Sequence, residues 1–422
     1  MHHRLHTAGI WLAFALTAAH GAQAVPKLIS LASFNNADGA FPQDSLLLHA
    51  GAFYGATENG GDFGLGAVFK VTPGGTLTLV ASFNGDNGQI PRSSLVVGPG
   101  GDLYGTASEA GANGAGTVFK VTTGGALSTA VDFNFDNGWL PIGGLTRDGA
   151  GNLYGTTTFG GGAGNVYQLS TGGTLTPSAN FNYANGVNPT GHLVVDAGGN
   201  VYGTAVGDAG GINNSTYPTD YGRVFKLTPG GALTTLAQFD GVDGSTPAGG
   251  LIVDATGNLF GTTQFGGVDG LGTVFEVTPS GVLTTLANFH GADGSDPSGT
   301  LVADTHGNLY GTTFFGGADG NGTVFRLSAG GVLTTIVNFS YANGLGANPT
   351  GGLIFGPEGN LFGTTTYGGA GGANFGTVFE VTNPGSGPGA IAAAPEAASW
   401  TLMLAGAAFA GASLRARRSR VA

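Results

Sequence analysis

Hydrophobic positions along this chain recur in short extended runs, with no sustained helical face. In the clearest stretch the runs are Leu251 to Asp254, Asn258 to Thr263, Thr273 to Thr278 and Val282 to Phe289. Each is rich in Val, Leu, Thr or aromatics, and Gly, Pro, Asn or Asp punctuates every junction. None is long enough for a stable helix, so the pattern predicts four strands, A to D, in one unit of about 50 residues.

Three landmarks show how often the unit recurs. An aromatic followed by Gly falls at Tyr54, Tyr104, Tyr154, Tyr202, Phe260, Tyr310 and Phe362. Val followed by an aromatic falls at Phe69, Phe119, Tyr167, Phe225, Phe275, Phe325 and Phe379, and a Phe closing a Leu/Thr/Ala run falls at Phe34, Phe83, Phe133, Phe181, Phe239, Phe289 and Phe339. Four strands in a unit of this size make a propeller blade, so the pattern predicts an all-β, seven-bladed β-propeller of four-stranded blades. A linear solenoid competes, but it would need atypical end caps, and the sequence has none. Instead the repeat region, residues 25–382, begins with a lone D-type run, Lys27 to Phe34, and ends after a C-type run, Gly376 to Thr382. The N-terminal strand is therefore expected to complete the last blade and close the ring.

The residues L-[YF]-G-T-T-x-x-G-G, then G-T-V-F-x-V-T and L-T-T-L, resemble the Gloeo/Verruco (GloVer) tandem repeat over residues 27–382. That resemblance implies architecture and a surface location, and it brings no catalytic residues.

The two ends read as sorting signals. Residues 1–24 carry His2, His3 and Arg4, an apolar run from Ala8 to Ala19 and Ala22-Gln23-Ala24, the form of a secretory signal peptide cleaved after Ala24. A Pro/Gly/Ala linker at 383–394 leads to Pro395 and Glu396, an apolar stretch at 398–414 and an Arg-rich tail. Residues 395–422 resemble the PEP-CTERM signal read by exosortase-type transpeptidases, with Ala397 where that family has a second Pro. At 1.5 Å per residue the apolar stretch would span roughly 25 Å, the short limit for a bilayer, with the Arg cluster cytoplasmic. The expected location is the cell surface, membrane-anchored or released after C-terminal processing.

Charge and composition narrow the chemistry. Five of the 13 basic residues lie in the terminal signals; the body sets eight against 24 acidic residues, a net of about −16 that would repel a phosphate backbone. Cys is absent, which removes disulfides, thiolate metal sites and Cys nucleophiles. No G-x-S-x-G, Walker loop or H-E-x-x-H occurs. The mature His residues, 49, 192, 290 and 306, fall at non-equivalent repeat positions, and nothing marks a metal cluster.

If the strands alternate in direction, the A-to-B and C-to-D turns share one face and the longer B-to-C and D-to-A loops the other, where binding is expected. The [DN]-G pairs there (Asp38, Asn87, Asn137, Asn185, Asp243, Asp293, Asn343) read as turns, with calcium ligation as the alternative. Repeat four is longer, 23 residues from Tyr202 to Phe225 against 15 in four other copies. Its insertion brings Asn213, Asn214, Tyr217, Asp220 and Tyr221, which with Trp139, Tyr183 and Tyr341 suit carbohydrate; an insertion without function is the competing account. The functional expectation is a monomeric, cofactor-free surface module for polysaccharide or protein, the alternative a secreted propeller hydrolase or lyase using acidic residues near the channel.

Overall fold

The computed structural model describes residues 25–384 except 123, 208–219, 373 and 383. The leader, the linker, the C-terminal signal and Asn213, Asn214 and Tyr217 lie outside the described residues. Seven antiparallel sheets, six of four strands and one of five, form a ring, the seven-bladed propeller expected from the repeats. In blade 5 the strands are Ile252–Val253, Leu259–Thr263, Thr273–Val277 and Leu283–Asn288, running A to D as the sequence ordered them. Blade 2 adds Gln89–Pro91, which pairs with the extended B strand Leu103–Glu109.

Lys27–Ser33 pairs antiparallel with Thr377–Thr382, with Lys27 opposite Thr382 and Ser33 opposite Thr377. The first strand of the repeat region is thus the D strand of blade 7, and every blade has its full A-to-D set of strands. The solenoid is excluded.

The three sequence landmarks meet inside the blade interfaces. The Gly after each B-strand aromatic sits directly opposite the C-strand aromatic, as Gly261 does opposite Phe275, and a Cβ there would press into that ring. Each C-strand aromatic then takes the closing Phe of the preceding blade edge-on. The seven pairs, from Phe34 with Phe69 to Phe339 with Phe379, have centroids 4.9 to 5.0 Å apart. Edge-to-face pairs add about 0.5–1.5 kcal/mol each beyond area burial. The Phe34–Phe69 pair joins blade 7 to blade 1, so ring closure uses the same contact as every other interface.

A second device stitches the loops. Each D-to-A loop has a non-Gly residue at φ between 53° and 59° just before a Pro: Phe41, Ile90, Leu140, Asn188, Thr246, Asp296 and Asn348. This conformation is disfavoured, most of all for β-branched Ile90 and Thr246, so hydrogen bonds must hold it. Thr246 shows them: its N–H donates to Tyr221 of blade 4 at 2.8 Å, and its carbonyl accepts from Gln264 of blade 5 at 3.1 Å.

Candidate functional site

The two faces of the disc differ as expected. On the A-to-B side the turns are closed by Asp: the Asp254 carboxylate accepts from the backbone of Thr256 and Asn258 and from the Asn258 amide. Asp148, Asp196 and Asp304 repeat the arrangement. On the long-loop side the [DN]-G residues likewise serve their own turns, Asn84 and Asn87 each accepting the other's backbone N–H. Among the described residues, every strongly exposed aromatic lies on this second face: Phe63, Phe135, Phe159, Tyr183, Phe265, Phe315 and Tyr341.

Trp139 is the centre of the densest part of that surface. It stacks on Phe159 at 4.5 Å and lies 5.8 Å from Phe135, and its backbone exchanges two hydrogen bonds with Phe159. That pairing of loop with hairpin end recurs around the ring, so the aromatics ride on a hydrogen-bonded rim. Tyr183 and Tyr341 are about half exposed, on the loops entering blades 4 and 7, and the Tyr341 hydroxyl donates to Asn348 at 2.8 Å. The predicted residues of the repeat-four insertion fare differently. Asp220 is committed to Arg223 at 2.7 Å, a buried guanidinium that stands where four of the other six C strands open with Thr and that also reaches the Ala184 carbonyl. Tyr221 packs partly buried against the interface of blades 4 and 5. The structure therefore spreads the sequence-predicted residues over separate loops and does not gather them into one pocket.

What it does gather lies on the ring axis. The two residues before the first buried Leu of each A strand form an inner tier, with Gly at five of seven positions in one row: 143, 191, 249, 299 and 351. A side chain on these glycines would run into a neighbouring blade's backbone or a Thr hydroxyl, so the tier is tight. In that row blade 1 carries Asp44 and blade 2 Ser93, and the following row, Ser45, Ser94, Gly144, His192, Gly250, Thr300 and Gly352, brings Ser94 and His192 to Asp44. His192 Nε2 bonds Asp44 Oδ2 at 2.7 Å, Asp44 Oδ2 also accepts the Ser94 N–H at 2.7 Å, and Ser94 Oγ lies 3.3 Å from both imidazole nitrogens. Side chains from non-adjacent blades can meet only across the axis. The imidazole passes over blade 3, whose Gly144 occupies the equivalent position and would overlap the ring if it carried a Cβ.

Beside this floor Glu58 pairs with Arg92. Burial raises the Glu58 pKa despite that cation, and burial lowers the His192 pKa less than Asp44 raises it, leaving the imidazole above its ordinary value. Perturbed groups converging in one place are characteristic of functional sites. About one-fifth of each of His192 and Asp44 remains exposed, so solvent reaches the cluster. Ser94 Oγ, equidistant from both ring nitrogens, lines up with neither lone pair, which is not the geometry of an activated nucleophile. Among the described residues no group of three or more His, Asp or Glu is placed to hold a metal ion.

One solved structure aligns well enough to support the architecture. The extracellular domain of a candidate hybrid two component system from B. thetaiotaomicron aligns at TM-score 0.53 and 12% identity, over 85% of this chain and 41% of that one. A gluconolactonase from Xanthomonas campestris aligns at TM-score 0.43 and 14% identity, over 84% of this chain and 89% of that one. This chain thus spans less than half of the first relative's length, and at such identities the likeness speaks for the fold alone. No curated protein matches. The profile of the Gloeobacter/Verrucomicrobia repeat matches residues 13–217 and 207–393, together most of the sequence, and the chain belongs to that family.

Proposed function

We propose that the protein is an exported surface or matrix module that binds extracellular polysaccharide, without catalysis, through its long-loop face. The observation that carries this reading is the one-sided distribution of exposed aromatics, among them Phe135 and Phe159 flanking the partly buried Trp139. Flat rings on a rigid rim stack on sugar faces with little entropy lost on binding. Export through the leader ending at Ala24, and retention by an exosortase-type enzyme acting at Pro395 and Glu396, accord with the sequence at the two ends and complete the proposal. Glycan-array binding of residues 25–384, with and without calcium, tests it. Trp139→Ala and deletion of 211–221 should each weaken retention of the polymer; unchanged retention in both would overturn the proposed face.

A second reading, a propeller hydrolase or lyase acting on the same polymer, is favoured by the convergence of Asp44, Ser94 and His192 from three blades. Release of reducing ends from a bound polymer, lost in His192→Gln, would select it.

A further inference from the structure

We infer that the axial floor formed by Asp44, Ser94 and His192 is a subsite for a single uncharged sugar ring presented at a chain end, an inference that rests on the polysaccharide reading. The first ground is that the fold does not require these side chains. The same inner tier is built largely of Gly in the other blades, and half-buried charge is costly where backbone alone would fill the space. The second is chemical. Asp44 Oδ1, which accepts the Ser45 N–H at 2.6 Å, keeps a further lone pair, Ser94 brings a hydroxyl and His192 a second ring nitrogen, with the Arg92 and Glu58 pair on neighbouring stretches of the same two blades. This set presents both signs of charge close together, which suits neither a free anion nor a free cation but suits adjacent hydroxyls that donate and accept in turn. The third is shape: the tier is close-packed from blade to blade and the imidazole lies directly over Gly144, so the space at these side chains favours one terminal ring over a threaded chain. The exposed aromatics of the long-loop face lie on the same face of the disc as the loops that carry these residues and would hold the following sugars.

The test uses D-glucose, D-galactose, D-mannose and N-acetylglucosamine against residues 25–384, followed by saturation-transfer NMR and titration calorimetry. At least one should bind. Asp44→Asn and Gly144→Ala should weaken it tenfold or more; the second keeps every polar group of the site and only displaces the imidazole. Val332→Ser, on the opposite face, should leave affinity unchanged. Melting curves establish that each variant is folded, and Ser94→Ala replaces any that is not. The inference is overturned if no monosaccharide binds, or if Asp44→Asn and Gly144→Ala bind as tightly as the wild type. A wild type that retains polymer but no monosaccharide removes the end-binding subsite alone. A wild type that binds no polymer on the array removes the reading beneath it.

Discussion

Asp296 occupies the left-handed position of the loop entering blade 6, where blades 4 and 7 carry Asn188 and Asn348. Asn348 uses both ends of its amide, accepting from the Tyr341 hydroxyl at 2.8 Å and donating to the Phe314 carbonyl at 2.9 Å. A carboxylate has no such donor, and Asp296 Oδ1 is buried without a hydrogen-bond partner. Burial pushes the Asp296 pKa from 3.8 to about 6, opposed in part by a hydrogen bond from Gln264. The folded protein therefore keeps this proton to higher pH than the unfolded chain does, and the associated stability is present below pH 3.8 and lost as pH rises through 6. A shift of about two units corresponds to about 3 kcal/mol, and to about 2 kcal/mol once partial exposure is allowed for. Asp296→Asn should remove this loss, gain a donor toward the Gln264 carbonyl and raise stability near neutral pH by about 2 kcal/mol. Urea unfolding of residues 25–384 from pH 4 to 7.5 reads the effect: the variant's advantage should be small at the acid end and grow through pH 6. Slopes from other titrating groups are shared by both proteins and cancel in the difference. An advantage that does not change with pH, or a variant less stable at pH 7.5, would refute the reasoning.

Tyr167 is the one C-strand aromatic that is not Phe, and its hydroxyl is buried without a partner, so Tyr167→Phe should stabilise by about 1–2 kcal/mol in thermal melts. Phe34→Ala should cost about 3–5 kcal/mol, like a core truncation, and removal of residues 25–34 should open blade 7 and abolish cooperative unfolding. Burial presses the His192 imidazole down but Asp44 holds it above its ordinary value, so its stabilising contribution is full below pH about 6.5 and disappears as pH rises through the raised folded value. Asp44→Asn should flatten that component in the same urea titration.

Much of the fold was legible because the contacts that hold it are repeated. Gly261 had to be Gly because Phe275 lies across it, and Phe239 had to be aromatic because it meets Phe275 from the next blade. Such constraints act identically at every interface, and so they surface as periodic letters in the sequence. Ring closure was legible for a related reason: one spare D strand at one end matched one missing at the other. The long-loop face followed from strand alternation, but the employment of its residues did not. Asp220 looked free until Arg223, at the position where four of the seven C strands open with Thr, was found to hold it.

The axial cluster escaped the sequence for the opposite reason. Comparing the His residues by repeat position addressed only a metal cluster and left unasked whether a single His could meet side chains from other blades. Equivalent positions from all the blades converge on one small space, so a bulky side chain can stand at one of them only if its neighbours give way. His192 can cross to Asp44 because Gly144 is bare. The cluster is therefore written as isolated residues, separated by 98 and 148 residues along the chain. In this closed ring of near-identical units, periodic residues describe the scaffold, and Asp44, Ser94 and His192 stand out only once the ring brings their three blades together.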